Sequence, residues 1–238
     1  MLFLLPDAHC HLCFRSIDLE YRNENGMAIS PGSKGVMDCM PRPREFDEAA
    51  VLDAAVLCFW NRGYEATSVR ELADSMGITG ASLYNAFGDK HALYGKALAH
   101  YVSRSVEDRV RRFEGTLSPL QSIKAFFDEI VHRSLSDKDR KGCMLVNSAL
   151  EMAPHDPEFQ RVVAGVLAKL EAYFGRCVAA GQQTGEISSA QPAEDFARLL
   201  LAVLLGIRVL ARSRPEPALL EGLLRPVLAS LDGRTFSG

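Results

Sequence analysis

Residues 68–90 read SVRELADSMGITGASLYNAFGDK and carry the signals for two short helices, a tight turn between them and the start of a third helix. Ser68 and Glu71 have the spacing of a capping box, which predicts that a helix begins there. Gly77 tolerates a positive φ at the point where this helix must end. Two short helices joined in this way are typical of a helix-turn-helix, whose second helix enters the major groove of DNA.

The second helix is predicted to start after Thr79, whose hydroxyl can accept a hydrogen bond from the first helical turn. Leu83 and Phe87 lie four residues apart and are expected to face the core. Asp89 is expected to cap the third helix. The residues left on the outer side of the second helix are small or polar, which would allow close approach to bases; they are Gly80, Ala81, Ser82, Asn85 and Ala86.

This stretch and its surroundings resemble the TetR/AcrR family of transcriptional regulators over roughly residues 46–101. The matching segments are, in chain order, FWNRGYEATSV, VRELADSMGI, SLYNAF and GDKHALY. The resemblance implies a DNA-reading helix-turn-helix at residues 69–88 and a set of contact positions. The family positions that face base edges are matched by Thr79, Gly80, Ser82 and Asn85. The family positions that hold phosphates are matched by Arg70, Tyr84 and Lys90, and Ser68 completes the predicted DNA-binding set.

Two departures from the family pattern bear on sequence specificity. Gly80 and Ala86 stand where larger polar residues are common in the family. With fewer side chains able to read bases, specificity is expected to rest more on DNA shape. Interpretations without a DNA contact stay open for four of these residues. In them Tyr84 is a core aromatic, Lys90 is a solvated lysine, and Ser82 and Asn85 are polar residues that face solvent.

Charge gives no independent sign of a nucleic-acid partner. Five lysine or arginine and eight aspartate or glutamate residues lie between Arg42 and Lys90, and the whole chain has a formal net charge of −3. Binding to DNA would therefore depend on individually placed contacts. Arg42 and Arg44, in MPRPREF, are either an arm for the adjacent minor groove or part of a disordered lead-in.

Helical signals dominate the rest of the 238 residues, and no alternating strand pattern bounded by hairpin turns occurs. We predict an all-α fold with an N-terminal three-helix head at residues 42–101. A C-terminal helical domain for effector binding and dimerisation is expected at residues 102–238. Residues 1–41 lack sustained periodicity and are predicted to be a disordered extension, with Met37 or Met40 as a plausible translation start.

The six cysteines indicate a reducing cytoplasm rather than a disulfide scaffold. His9, Cys10, His11 and Cys13 are close together, but no second ligand pair follows at a recognisable distance, so no metal or cofactor is predicted. Cys58 and Cys177 are expected in the core.

Cys143 lies in RKGCMLVNSALE, at a predicted helix start near Arg140 and Lys141, a setting that lowers a thiol pKa. The segment resembles a TetR branch with GC followed by two hydrophobic residues, some members of which sense electrophiles or oxidants through cysteine. A buried, inert thiol is the alternative.

The family resemblance further implies a small-molecule pocket in the C-terminal domain and a symmetric dimer. The candidate ligand or sensor residues are Cys143, Phe127, Met144, Asn147 and Tyr173, with Phe126 and Met152 as further lining candidates. For each of the non-cysteine residues, a place in the core is the favoured alternative. Such a lining would suit a hydrophobic or aromatic compound.

The apolar segment Glu194–Arg212 is interrupted by Arg198 and Arg208, which argues against a membrane span. Together with Pro217–Leu231 it is expected to form the homodimer interface, unless it is buried within one subunit.

These patterns favour one function over its rivals. No P-loop, GxSxG elbow, HExxH or strand-linked GxGxxG occurs, so an enzyme is not expected. We expect a cytoplasmic, homodimeric repressor that binds a near-palindromic operator in double-stranded DNA. A small-molecule effector or thiol modification is expected to release it. A helical adaptor without DNA binding is the alternative.

Overall fold

The computed structural model describes residues 47–232, and every regular element within that range is helical. The helices are, in chain order, α1 (Glu48–Arg62), α2 (Val69–Met76), α3 (Gly80–Phe87), α4 (Lys90–Val102), α5 (Asp108–Phe113), α6 (Pro119–Ser136), α7 (Met144–Glu151), α8 (Pro157–Thr184), α9 (Ala193–Ser213) and α10 (Pro217–Leu231). A π-helical segment, Ser103–Glu107, joins α4 to α5. The prediction of an all-α fold is confirmed over this range.

Several predictions concern residues outside the described range. They are the disordered extension at residues 1–41, the arginine arm at Arg42 and Arg44, and the cluster formed by His9, Cys10, His11 and Cys13. The boundary between a head and an effector domain at residues 101–102 also stays a prediction, since residues 47–232 belong to one compact unit.

The helix starts follow the predicted capping residues. The Ser68 hydroxyl accepts from the Glu71 amide at 3.2 Å, and the Glu71 carboxylate accepts from the Ser68 amide at 2.9 Å, which completes the capping box. Gly77 ends α2 in the left-handed conformation with φ 66°. Thr79 caps α3 and Asp89 caps α4, as expected.

The helix-turn-helix rests on a core that α1, α2, α3 and α4 share. Leu72, Leu83 and Leu93 are fully buried there, and Phe87 is 3% exposed. Burying a leucine or phenylalanine side chain contributes about 1.5–3 kcal/mol. Because Leu83 and Phe87 both point into this core, the opposite side of α3 is fixed toward solvent.

The long helix that leaves the head changes its winding before it enters the second half of the chain. Residues Ser103–Glu107 form a π-helical turn between α4 and α5. Such turns occur mostly as short interruptions of α-helices and often lie at functional sites. Ser105 and Val106, on this turn, line a cavity of about 250 Å³. Nothing in the helical periodicity of the sequence predicted the interruption.

An aromatic cluster between α6 and α8 forms the centre of the second half. Phe127 and Phe174 stack with their ring centroids 5.6 Å apart, and Phe126 meets Phe174 edge-on at 5.2 Å. Aromatic pairs in these arrangements contribute about 0.5–1.5 kcal/mol beyond their burial. Helices α9 and α10 complete this half, with α9 packed along α8.

Tyr94 joins the helix-turn-helix half to the rest of the chain. Its ring meets Phe59 of α1 at 4.9 Å and Phe159 of α8 at 5.2 Å, both edge-on, and its hydroxyl lies 2.7 Å from Ser148 Oγ of α7. Beside it, His91 of α4 forms a 2.6 Å hydrogen bond with Asp156. The position of α4, and with it of α3, is therefore set by contacts with both halves.

Within residues 47–232 the structure contains no helix that combines the length and the hydropathy of a membrane span.

Candidate nucleic-acid interface and effector cavity

The outer face of α3 carries several exposed residues. Tyr84 is 53% exposed, and Thr79, Ala81 and Asn85 are also exposed. A helix with one buried and one open side can enter the major groove, which is about 12 Å wide in B-DNA. The placement predicted for this face is therefore observed, while the contact role of each residue remains to be tested.

The predicted base-reading residues differ in how free they are. Ser82 is half-buried, and its hydroxyl lies 2.9 Å from Thr79 Oγ, so both side chains take part in capping α3. At Gly80 an added Cβ would have no heavy atom within 4 Å. The bare backbone there can approach another molecule closely. Ala86 was expected outside but is half-buried and packs against the core.

Arg70 is the most accessible of the predicted phosphate-binding residues. Its side chain is 92% exposed, and its nearest ion-pair partner, Asp74, is 3.9 Å away. An exposed pair of this kind is worth little, so the guanidinium is free to bind a phosphate. Ser68 is less free, because its hydroxyl is 2.9 Å from the Glu71 carboxylate within the capping box.

Lys90 does not match its predicted role as a phosphate contact. Its ammonium donates hydrogen bonds to the carbonyl oxygens of Tyr64 at 3.0 Å and Thr67 at 3.1 Å. It also lies 4.2 Å from the centroid of the Tyr64 ring, within cation–π range. Because two of the three ammonium hydrogens are engaged, we reassign Lys90 as a clamp that holds the segment before α2 against the start of α4.

A cavity of about 250 Å³ lies in the second half, at its border with the head. Its wall includes Trp60 of α1 and Tyr101 of α4, which belong to the helix-turn-helix half. Cys143, beside α7, and Arg208 of α9 contribute from the second half. A molecule in this cavity would therefore touch both halves at once.

Of the five predicted ligand or sensor residues, only Cys143 lines this cavity. Phe127 and Tyr173 are fully buried, and Met144 is 1% exposed, because all three fill the core. Asn147 also has a structural role, because its side-chain amide donates a hydrogen bond to the Lys141 carbonyl at 3.1 Å and accepts one from Arg212 at 2.9 Å. These four residues and Met152 do not line this cavity, whereas Phe126 does.

The environment of Cys143 favours the thiolate. Burial alone would raise the pKa of this thiol, but the positive charge of Arg208 and the hydrogen bond from the Tyr101 hydroxyl, at 3.4 Å, outweigh burial and lower it. Backbone amides of the first turn of α7 act in the same direction. The groups that lower the pKa of Cys143 are not the predicted ones, Arg140 and Lys141. Arg140 is exposed, and Lys141 is paired with Asp137 at 3.0 Å.

Cys177 provides a contrast within the same chain. It is buried beside Tyr173, and burial raises the pKa of its thiol to about 11. The prediction that Cys177 is a small core residue is confirmed by its 7% exposure.

Sequence reasoning missed Trp60, Tyr101 and Arg208 as cavity residues. Arg208 did give a signal, since it interrupts the most apolar segment of the chain. A charged residue at that position had to be either solvent-exposed or buried beside a polar site. It is 8% exposed, and its Nη1 donates to Ser134 Oγ at 2.9 Å.

Comparisons with known proteins agree with the fold. Residues 51–97 match the family described as bacterial regulatory proteins, tetR family, and residues 119–226 match the tetracyclin repressor-like C-terminal domain. The uncharacterized HTH-type transcriptional regulator YezE of Bacillus subtilis is 35% identical over 150 residues, which cover 63% of this chain and 77% of that protein. The HTH-type transcriptional repressor ComR of Escherichia coli is 28% identical over 185 residues, covering 77% and 87% respectively.

A solved structure shows the same architecture on DNA. The chain is similar, with a TM-score of 0.70 and 30% identity, to a cysteine mutant of the TetR family transcriptional regulator CifR in complex with 26-base-pair double-stranded operator DNA. The similarity covers 79% of this chain and 99% of the CifR chain.

The Lys90 clamp can be tested through stability. In Lys90→Met the carbonyls of Tyr64 and Thr67 lose their donor, so we expect the free energy of unfolding to fall by about 1–3 kcal/mol. The control is Arg70→Met, because that exposed side chain should change stability by less than about 0.5 kcal/mol. Urea denaturation followed by circular dichroism, at one protein concentration, measures both. Equal stability of the two variants would show that Lys90 is no clamp.

Proposed function

The chain belongs to the TetR family of DNA-binding transcriptional regulators, and on that premise we propose that it is a homodimeric repressor released from its operator by an effector in the cavity or by modification of Cys143. The observation that carries the DNA-binding role is the open face of α3, held outward by Leu83 and Phe87. The family works on DNA, so we propose a cytoplasmic protein without catalytic activity.

The geometry assigns different tasks to the exposed residues of the head. Asn85 on α3 can read a base edge, since an amide side chain pairs with adenine in the major groove. Arg70 at the start of α2 and the Tyr84 hydroxyl are suited to phosphates, which position a protein without specifying sequence. With small residues at Gly80 and Ala81, DNA shape is expected to contribute to specificity.

Substitutions at Arg70 and Asn85 should separate positioning from reading. Arg70→Ala should weaken binding to all duplexes alike and reduce the slope of log affinity against log salt by about one per half-site. Asn85→Ala should instead change which sequences are selected from a random duplex library, at a cost of about 1–3 kcal/mol for the preferred base. Mobility shifts at several salt concentrations and sequencing of the selected duplexes provide the measurements. An exchange of the two phenotypes would refute the assignment.

The adaptor alternative predicts a different titration. An adaptor would show no salt-sensitive binding to the selected duplexes at micromolar protein, whereas a repressor must bind them with an affinity that falls as salt rises.

An apolar stripe supports the homodimer. The stripe runs along the outer sides of α9 and α10, and Leu199 is 42% and Val209 45% exposed there. Its members repeat at helical spacing and are exposed or half-buried; they are Leu199, Ala202, Val203, Gly206 and Val209 on α9 and Leu219, Gly222 and Leu223 on α10. Burial of the whole segment within one subunit, the alternative, does not fit this exposure.

A second copy of the same stripe is the natural partner for this surface. Two helices from each subunit would form a four-helix bundle around a two-fold axis. At Gly206 an added Cβ would meet nothing within 4 Å, so a helix of the partner has room to approach the backbone there. The two copies of α3 would then address half-sites about one helical turn of DNA apart, which calls for a near-palindromic operator.

The dimer can be tested with a matched pair of variants. Val209→Glu places a charge in the stripe and should convert the protein to a monomer, with loss of operator binding. Val162→Glu is the control, because Val162 is similarly exposed, at 40%, but lies on α8 away from the stripe. Sedimentation velocity measures the molecular mass of each. A dimeric Val209→Glu variant, or a monomeric wild type, would exclude this interface.

The cavity is placed to couple an effector to DNA binding. Trp60 and Tyr101 meet edge-on at 5.0 Å and connect α1 to α4, the helix that follows α3. A molecule that prefers a wider gap between these rings would shift α4 and the α3 helix that precedes it. Release then follows if the effector binds the shifted state more tightly than the DNA-bound state.

Thiol modification is the second route of release, and it can be tested on Cys143. In a variant whose Cys10, Cys13, Cys39 and Cys58 are replaced by serine, N-ethylmaleimide near neutral pH should modify Cys143 before Cys177 and should weaken operator binding, since the added group fills the cavity. In the same background, Cys143→Ser should keep its DNA affinity after this treatment, while Cys177→Ser should respond like the parent variant. Mass spectrometry and mobility shifts provide the two readings. Unchanged affinity after complete alkylation of Cys143 would rule out this route.

A further inference from the structure

Two buried nitrogen donors without a hydrogen-bond partner belong to residues of the cavity wall. They are Nε of Arg208 and Nε1 of Trp60, and they are the buried side-chain nitrogen or oxygen atoms within residues 47–232 that lack one. Both residues line the 250 Å³ cavity. A buried donor without a partner costs about 1–3 kcal/mol, so a pair of them in one cavity suggests a missing acceptor.

Arg208 is also the cation of this cavity that has no carboxylate partner in the described range. Its Nη1 donates to Ser134 Oγ at 2.9 Å and its Nη2 donates to the Gly142 carbonyl at 2.5 Å, both neutral acceptors. The other basic residues on the wall are paired: Arg109 with Glu129 at 3.0 Å, Arg133 with Glu129 at 2.9 Å and Lys141 with Asp137 at 3.0 Å. The positive charge of Arg208 is therefore buried without a counter-charge from a carboxylate. Burial alone would lower the pKa of this guanidinium, but its interactions with the Cys143 thiol and the Tyr101 hydroxyl raise it.

The geometry of a guanidinium limits what can fill this gap. Nε and the neighbouring Nη each have a hydrogen on the same side of the group, and a carboxylate accepts both in parallel. The indole of Trp60 can add one more donor. Lys141 has Asp137 as its carboxylate partner, whereas Arg109 and Arg133 share the single carboxylate of Glu129, so a phosphate would have to compete with Glu129 for these two arginines.

The apolar residues of the cavity wall and the volume of the cavity limit the polarity and the size of the rest of the ligand. Ile130, Leu167 and Leu204 are among the apolar lining residues. The cavity, at about 250 Å³, is smaller than the roughly 300–1,000 Å³ of sites for drug-sized molecules. It has room for about eight water molecules at about 30 Å³ each, so the ligand must be short.

We propose that the cavity binds a small monocarboxylate with a short apolar body, its carboxylate held by Arg208 and Trp60. The proposal rests on the proposed function, because it names the chemistry of the effector. It also replaces the earlier expectation of a purely hydrophobic or aromatic compound. Since Arg208 lies on a helix of the proposed dimer interface and Trp60 lies in the head, one bound carboxylate would connect the two.

The test compares carboxylates with neutral molecules of the same shape. Butyrate, hexanoate and octanoate are titrated into the full chain by calorimetry at neutral pH, with butyramide, hexanamide and octanamide as controls. At least one carboxylate should bind about tenfold or more tightly than its amide. Equal binding of each acid and its amide, or binding of no acid, would overturn the proposal.

Variants test whether the two donors are responsible. Trp60→Phe keeps an aromatic ring but removes the indole donor. Arg208→Lys keeps the positive charge but removes the two parallel donors of the guanidinium. Each variant should therefore bind the carboxylate about tenfold or more weakly than the wild type. Arg133→Gln is the matched control, because Arg133 lines the same cavity but is paired with Glu129. Trp60→Phe keeps the test decisive if Arg208→Lys does not fold. Unchanged affinity in Trp60→Phe together with loss in Arg133→Gln would place the carboxylate elsewhere and contradict the site.

Cys143→Ser addresses the rival anion, the thiolate of this chain. If the thiolate already served as the counter-ion of Arg208, its removal would be required before carboxylates could bind. Binding to the wild type and to Cys143→Ser with similar affinity supports the proposal. Binding to Cys143→Ser alone would show that the thiolate occupies the position and would overturn it.

Mobility shifts with the selected operator separate this proposal from the proposed function. Operator binding that no carboxylate or amide alters, with carboxylate binding intact in calorimetry, would refute the release mechanism and support the carboxylate site. Operator binding released by a neutral compound, without carboxylate binding, would refute the carboxylate site and leave the repressor function standing.

Discussion

The contacts of the Tyr94 side chain hold the two halves of the molecule together. Its ring packs edge-on against Phe59 and Phe159, and its hydroxyl meets Ser148, so one side chain of α4 touches α1, α7 and α8. Close-packed interiors transmit displacement because they leave little room for local relaxation. A shift of α4 must therefore move both the helix-turn-helix and the wall of the cavity, which is the mechanical requirement for a regulator that links a ligand to DNA.

The cavity concentrates the costly features of the structure in one place. A buried guanidinium at Arg208, a thiol at Cys143 with a lowered pKa and an indole donor at Trp60 without a partner all lie on its wall. The two donors without a partner, on Arg208 and Trp60, cost free energy in the empty protein, and a ligand that accepts hydrogen bonds from them regains part of it. The π-helical turn Ser103–Glu107 belongs to the same wall. Strained or unsatisfied groups gathered at one cavity are typical of sites that work by binding.

The sequence was most informative where structure depends on neighbouring residues. The capping box of Ser68 and Glu71 and the left-handed Gly77 were predicted correctly, because caps and turns are decided within three or four positions. Lys90 was assigned to phosphate by position in the family pattern, yet its ammonium is engaged by two backbone carbonyls. Tyr64, which provides one of them, lies 26 residues away, and no local rule reports a contact at that distance.

The sequence by itself determined the all-helical fold, the helix-turn-helix and the outward face of α3, since hydrophobic periodicity and capping are local properties of the chain. Only the tertiary structure decided which residues form the cavity. Phe127 and Tyr173 resemble pocket residues in composition but fill the core, whereas Arg208, from an apolar helix, reaches the cavity wall. The physical reason is that a cavity is the space left after distant helices have packed, and that space depends on all of them together.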